Sequence, residues 1–227
     1  MKRDTLLFDL DGTLTDTDAL HFEAFQQLLA PYGRTLSKQE FERRVIGATN
    51  VSVMAFLFPD QPTRRHEELD EEKEALFRAL ADAGDVDGKS ALHPTPGLFA
   101  LIDWAEARGV KMAVVTNAPR PNAVLMLRAL GLADRLTEIV IGPELPRGKP
   151  DPLPYLTGLD RVGSTADRAL AFEDSRSGIG AAVAAGIETI GMLSSLDEPT
   201  LRQAGAAHML RDFTQPWFLE KLDREFA

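Results

Sequence analysis

The sequence predicts an α/β protein: a doubly wound parallel sheet whose chain is interrupted after its first strand by an all-helical module. Three observations predict it. Short apolar or β-branched runs alternate with longer stretches of helical period. One span, from about Asp18 to His93, carries helical periods and no convincing strand. Polar, chemistry-bearing residues also recur where strands end, which is where sheets of this class bind their ligands.

Taken in order, Thr5 to Leu10 reads as a buried strand. His21, Phe22, Phe25, Leu28 and Leu29 then share one helical face, and Phe41, Val45, Val53, Phe56 and Leu57 suggest two further helices. Thr63 to Ala83 is a long acidic amphipathic helix, and its charge run from His66 to Glu74 reads as a solvated face. Pro94, Pro96 and Gly97 punctuate the return to the strand–helix rhythm. Strands follow at Lys111 to Thr116, Glu138 to Ile141, Arg168 to Phe172 and Glu188 to Met192. Helical periods lie at Leu98 to Ala107, Asn122 to Leu130, Gly178 to Ala185 and Thr200 to Ala204. Such alternation implies βαβ units. The expected division is a core of residues 1–17 and 94–227, with the helical module at 18–93.

Composition narrows the function. The 227 residues carry 25 Lys+Arg and 35 Asp+Glu, a net charge of −10, with 44% hydrophobic residues and no cysteine. Absent cysteine excludes disulfides, thiolate metal sites and a cysteine nucleophile. The acid surplus offers no basic field to nucleic acid or an anionic membrane, so neither is expected as a partner. No signal segment or membrane span is visible, and a cytoplasmic protein is expected. The length leaves room for one ordinary core plus a second module.

The chemistry starts at Asp9-Leu10-Asp11-Gly12-Thr13, at the end of the first strand. If strand geometry persists, Asp9 and Asp11 point the same way. Burying paired carboxylates without a cation is costly, and hard oxygen donors suit Mg²⁺. The plainer alternative is an Asp-Gly turn capping a helix. Thr116-Asn117 ends another strand, where a hydroxyl and an amide can meet phosphate oxygens; alone, the pair also reads as a turn or cap. In Gly148-Lys149-Pro150, the proline holds Lys149 extended in a loop, although a lone surface lysine would look the same. Glu173-Asp174 closes a fourth apolar strand and supplies two more hard donors, or caps the next helix. The glycines at 178 and 180 lack the third glycine of a dinucleotide fingerprint and follow an acidic pair, so that reading is rejected. The four elements also balance in charge: Asp9, Glu173 and Asp174 carry −3, while Lys149 and a Mg²⁺ supply +3.

Together these four elements resemble the four motifs of the haloacid dehalogenase-like superfamily, specifically its helical-cap phosphatases and β-phosphoglucomutase-like phosphomutases. The resemblance spans essentially the whole chain. It implies a Rossmann-like core with a helical cap that closes over the active site. It also implies that Asp9 is the nucleophile and Asp11 the acid and base. Thr116 and Asn117 would hold phosphoryl oxygens, and Lys149 would neutralise charge on nucleophile and phosphate. Mg²⁺ would be held by Asp9, Glu173 and Asp174, and by Asp11 through its carbonyl. In the module, His21 is similar in placement to a hinge histidine of the mutase-like members, and Gly47 to Asn50 to a cap loop that binds substrate.

Two departures bear on the reaction. Asn50 stands where many relatives have arginine, so a second substrate phosphate would lose a charge-assisted partner. Ala118-Pro119-Arg120 also departs from the mutase pattern. Both favour a phosphatase of small phosphorylated metabolites over a phosphomutase. Asp11 argues against dehalogenation, whose enzymes lack the second acid. A phospho-acceptor signalling domain would not need the helical module, and a non-catalytic binding protein would not need every catalytic residue type. Substrate identity and the choice between monomer and homodimer stay open.

Overall fold

A computed structural model describes residues 2–46, 48–83 and 91–226. It divides into two compact units, Met1–Asp16 with His93–Ala227, and Thr17–Leu92.

The larger unit is a Rossmann-like α/β fold. Its six strands are β1 (Thr5–Phe8), β2 (Lys111–Thr116), β3 (Glu138–Ile141), β4 (Ala169–Glu173), β5 (Glu188–Met192) and β6 (His208–Leu210). All neighbours pair in parallel, in the order β3-β2-β1-β4-β5-β6. The chain builds outward from β1 in one direction, then returns to its other side. That reversal opens a crevice at the carboxyl ends of the central strands.

Strand parity decides what faces what. Leu7, Ala113, Val115, Val140, Ala169 and Ala171 point to one side and pack under Tyr155, Leu159, Ala181 and Ala182. The opposite side carries an aromatic core in which Phe8 stacks on Phe172, with ring centroids 5.0 Å apart, and Phe213 meets both rings edge-on. Asp9 and Glu173 continue the parity of Leu7 and Ala171, on the Tyr155 side.

The helices of the smaller unit are α1 (Asp18–Leu29), α2 (Lys38–Arg44), α3 (Asn50–Leu57) and α4 (Thr63–Ala83). No strand occurs among its described residues. Its core joins Phe25, Leu28, Phe41, Val53, Met54, Leu57 and Leu69. Ser37 and Glu40 form a capping box that starts α2. In the larger unit follow α5 (Leu98–Ala107), α6 (Arg120–Ala129), α7 (Leu153–Val162), α8 (Arg176–Ala184), α9 (Glu198–Ala204) and α10 (Pro216–Glu225). At the junction the core chain is stapled: Thr15 bridges Pro94, Thr95 N–H donates to the Leu14 carbonyl at 2.9 Å, and its hydroxyl donates to the Thr13 carbonyl at 2.7 Å.

Several expectations need correction. The first strand ends at Phe8, two residues early, because the chain turns at Leu10: Leu14 N–H already donates to its carbonyl at 2.9 Å. Arg168 closes a short 3₁₀ turn, and the strand there begins at Ala169. The charge run on α4 is not solvated throughout, since Lys73 and Glu74 are only 3% and 5% exposed. Among the described residues, no helix is long and apolar enough to cross a membrane.

Candidate active site

The site is assembled where β1, β2 and β4 end. Asp9 extends β1 by one rung, its N–H donating to the Phe172 carbonyl at 2.9 Å. Strand geometry then stops. Gly12 adopts φ +70°, a left-handed value that favours glycine, and its N–H donates to the Thr15 carbonyl at 2.8 Å. Asp11 therefore lies in a turn, bridged to Thr15, and does not continue the strand beside Asp9. A Cβ at Gly12 would lie 2.1 Å from Asp174 Oδ2, so this glycine also makes room for the second acid pair.

Lys149 reaches this place from the loop between β3 and α7. Its ammonium donates to Asp9 Oδ1 at 2.6 Å, to the Val115 carbonyl at 2.6 Å and to Glu173 Oε1 at 2.5 Å. All three N–H groups are used in a buried setting, so the amine stays charged. Burial alone would push its pKa down, but Asp9 and Glu173 hold it above the ordinary lysine value.

Glu173 is completely buried and fastened from several sides. Its Oε1 also accepts from the Tyr155 hydroxyl at 2.8 Å, while Ser175 Oγ approaches Oε2 at 3.2 Å. The Tyr155 ring lies 5.2 Å from the Lys149 ammonium, within range of a cation–π attraction. Burial, joined by the charges of Glu173 and Asp9, raises the phenol's pKa well above normal, so it remains a donor. Ser175 caps α8 by accepting from Gly178 N–H at 3.0 Å.

The chemistry of these donors fits a hard dication. Oxygens of Asp9, Glu173 and Asp174 lie within 4.8 Å of one another, and all three residues are buried. The Asp11 carboxyl is not part of that group. One ammonium does not balance three carboxylates: burial, with Glu173 and Asp11 adding repulsion, pushes the Asp9 carboxyl up to about 8 despite Lys149. Only oxygen donors are present, which suits Mg²⁺.

Thr116 ends β2 almost fully buried, and its Oγ1 accepts from Ala118 N–H at 2.9 Å. That bond uses a lone pair and leaves the hydroxyl's own donor capacity out of it. Asn117 turns to the lysine loop, its Nδ2 donating to the Lys149 carbonyl at 3.1 Å and its Oδ1 accepting from Lys149 N–H at 3.0 Å.

Two other sequence-predicted residues lie in the helical unit. The His21 ring stacks on Phe77 at 4.1 Å, and its Nδ1 is 3.3 Å from Lys73 Nζ. Lys73 also pairs with Glu74 at 2.5 Å and lies 5.0 Å from the Phe25 ring centroid. Asn50 donates to Asp70 Oδ2 at 3.1 Å and to Glu74 Oε1 at 3.4 Å. Gly47 lies outside the described residues.

Sequence reasoning missed Tyr155, Ser175 and the packing role of Gly178. The spacing of Tyr155, Leu159 and Val162 marks an inward helical face, on which a tyrosine needs a partner for its hydroxyl.

Comparison with known proteins places the chain among relatives. The model of the family described as haloacid dehalogenase-like hydrolase matches residues 6–192. The phosphorylated carbohydrates phosphatase of Thermotoga maritima is 31% identical over 215 residues, covering 92% of this chain and 94% of that protein. The phosphoglycolate phosphatase of Rhodospirillum rubrum is 33% identical over 215 residues, covering 92% and 87%. The crystal structure of CbbY from Rhodobacter sphaeroides in complex with phosphate matches with a TM-score of 0.83 at 28% identity, over 98% of this chain and 100% of that one.

Proposed function

The chain belongs to the haloacid dehalogenase-like hydrolases, and from that premise we propose that it is a cytoplasmic phosphoric monoester hydrolase for small metabolites of the sugar-phosphate or phosphoglycolate kind. The observation that carries the reading is the meeting of three carboxylates with one buried ammonium at the end of the central strand. The relatives named for phosphorylated carbohydrates and phosphoglycolate support the substrate class.

In this reading, a carboxylate oxygen of Asp9 attacks phosphorus, and the bond from phosphorus to the ester oxygen breaks. Asp11 gives its proton to the departing alkoxide. Asp11 then takes a proton from water, whose oxygen attacks the aspartyl phosphate and frees Asp9 and inorganic phosphate. A covalent intermediate divides a very slow hydrolysis into two easier steps. The Lys149 ammonium, its three N–H groups spent on Asp9, Val115 and Glu173, neutralises charge on nucleophile and phosphate, and the Thr116 hydroxyl donates to a phosphoryl oxygen. Mg²⁺, when held by Asp9, Glu173 and Asp174 with the Asp11 carbonyl, supplies further charge neutralisation and orientation. The helical unit serves as the cap in this reading, and His21, Gly47 and Asn50 are its candidate substrate-binding residues.

The test is release of inorganic phosphate from p-nitrophenyl phosphate and from a panel of sugar phosphates. Hydrolysis should require Mg²⁺, be abolished by EDTA, and fall at least ~10³-fold in Asp9→Asn, as when a nucleophile is removed. Equal activity in that variant would sink the mechanism. A hexose 6-phosphate formed from the 1-phosphate without free phosphate would instead identify a mutase.

A further inference from the structure

Asn117 follows the strand-end threonine, yet its side chain is spent elsewhere. Both amide atoms are matched to the Lys149 backbone, Oδ1 taking the N–H at 3.0 Å and Nδ2 giving to the carbonyl at 3.1 Å. This pairing admits a single orientation of the amide, because an N–H must meet the oxygen and a carbonyl the nitrogen. Two glycines leave space for it. A Cβ on Gly142 would lie 2.3 Å from Oδ1, and one on Gly148 would lie 2.9 Å away. Neither glycine has a positive φ, so each is needed for room and not for conformation. One side chain thereby ties the end of β2 to the lysine loop, lying close against the turn after β3.

The loop needs such a tie. Residues 146–150 belong to no helix or strand, so no ladder of backbone bonds fixes the Lys149 Cα. The ammonium at the far end of the side chain must still satisfy Asp9, Val115 and Glu173 together, at 2.6, 2.6 and 2.5 Å. A lysine stem carries large rotamer freedom. Three bonds at the tip select one conformer only if the other end is anchored.

We infer that Asn117 is a positioning residue for Lys149, clamping its backbone so that the ammonium stays between Asp9 and Glu173, and that its side chain does not bind the phosphoryl group. This replaces the phosphate-binding role expected from the sequence. It rests on the phosphatase reading for its kinetic consequence, but not for its structural one.

The experiment uses full-length protein and the variants Asn117→Ala, Asn117→Asp, Lys149→Met and the double variant Asn117→Ala/Lys149→Met. The first readout is the acetylation rate of Lys149 by acetic anhydride in the folded protein, mapped by mass spectrometry. Asn117→Ala should raise it about tenfold relative to other lysines, as expected for loss of two neutral hydrogen bonds. Asn117→Asp keeps the volume but sets a carboxylate oxygen against the Lys149 carbonyl, and should also raise it. Unchanged acetylation in both single variants overturns the inference. The second readout is affinity for inorganic phosphate with Mg²⁺ present, by calorimetry. Asn117→Ala should weaken binding in the parent background and leave it unchanged in the Lys149→Met background. Equal losses in both backgrounds would make Asn117 a direct phosphate ligand and overturn the inference. A parent protein that neither binds phosphate nor hydrolyses a monoester would sink the phosphatase reading, leaving acetylation to decide this one.

Discussion

A glycine within a helix ordinarily costs about 0.5–1 kcal/mol relative to alanine, so Gly178 in α8 needs a reason. A Cβ there would fall 1.9–2.0 Å from the Glu173 carboxylate atoms, far inside any contact distance. Gly178→Ala should therefore reverse the usual sign. We expect a lower Tm and reduced Mg²⁺-dependent hydrolysis; a variant more stable than the parent with unchanged activity would show that Glu173 has another place to go. Tyr155→Phe keeps the ring beneath Lys149 and removes only the donor to Glu173. Chemical denaturation should show a loss of about 1.5–3 kcal/mol, the range for a hydrogen bond to a charged group; no measurable loss would mean that Lys149 and Ser175 satisfy Glu173 without the phenol. At this scale the charged residues were legible, because two acids after a buried strand have few inexpensive explanations. Their supports were not. Nothing in the composition of the Asn117 or Tyr155 neighbourhoods says which backbone or carboxylate each will meet, since those partners are 32 and 18 residues away.

Elements with a clear period were legible to the residue: α4 as Thr63–Ala83, α5 as Leu98–Ala107, and β2, β3 and β5. Three others had no reading. The edge strand β6 is three residues long with only Leu210 buried, too short for alternation to register. The prolines opening α7 and α10 resemble breakers, although the first turn is where proline fits a helix. The buried half of α4 was misread because charge pattern reports composition and not partners. Lys73 and Glu74 are adjacent acid and base, yet both turn inward and pair. Removing one partner strands the other, so Lys73→Met should destabilise the helical unit by about 3–5 kcal/mol. The double variant Lys73→Met/Glu74→Gln should recover part of that loss in a denaturation cycle. Additive losses would mean that the two charges are satisfied separately.

For the whole molecule, the balance of charge at the strand ends predicts how stability responds to pH and metal. The Asp9 carboxyl is pushed up to about 8 from 3.8, chiefly by burial. Between those values the folded protein holds a proton that the unfolded chain releases, so this group's contribution falls as pH rises from about 4 to 8. Glu40, held low by bonds from Ser37, works in the opposite sense, and the comparison must isolate Asp9. In EDTA, the Tm advantage of Asp9→Asn over the parent should grow from pH 5 to pH 8. Added Mg²⁺ should stabilise the parent more at pH 8 than at pH 5, because only the folded, ionised site binds it. A metal effect independent of pH would count against the acid cluster as its site. The net charge of −10 thus conceals an uneven distribution: a few acids are confined against one ammonium, while most of the other described acids are exposed. The staple at Thr15 and Pro94 carries one more consequence. The core chain departs and returns through an opening a single bridge wide, and closing a loop there costs only ~0.6 kcal/mol more for each doubling of its length. A lineage could therefore lengthen, shorten or exchange the inserted segment without disturbing the sheet. Heritable variation in what is admitted and in how it reacts would then fall on separate stretches of one gene.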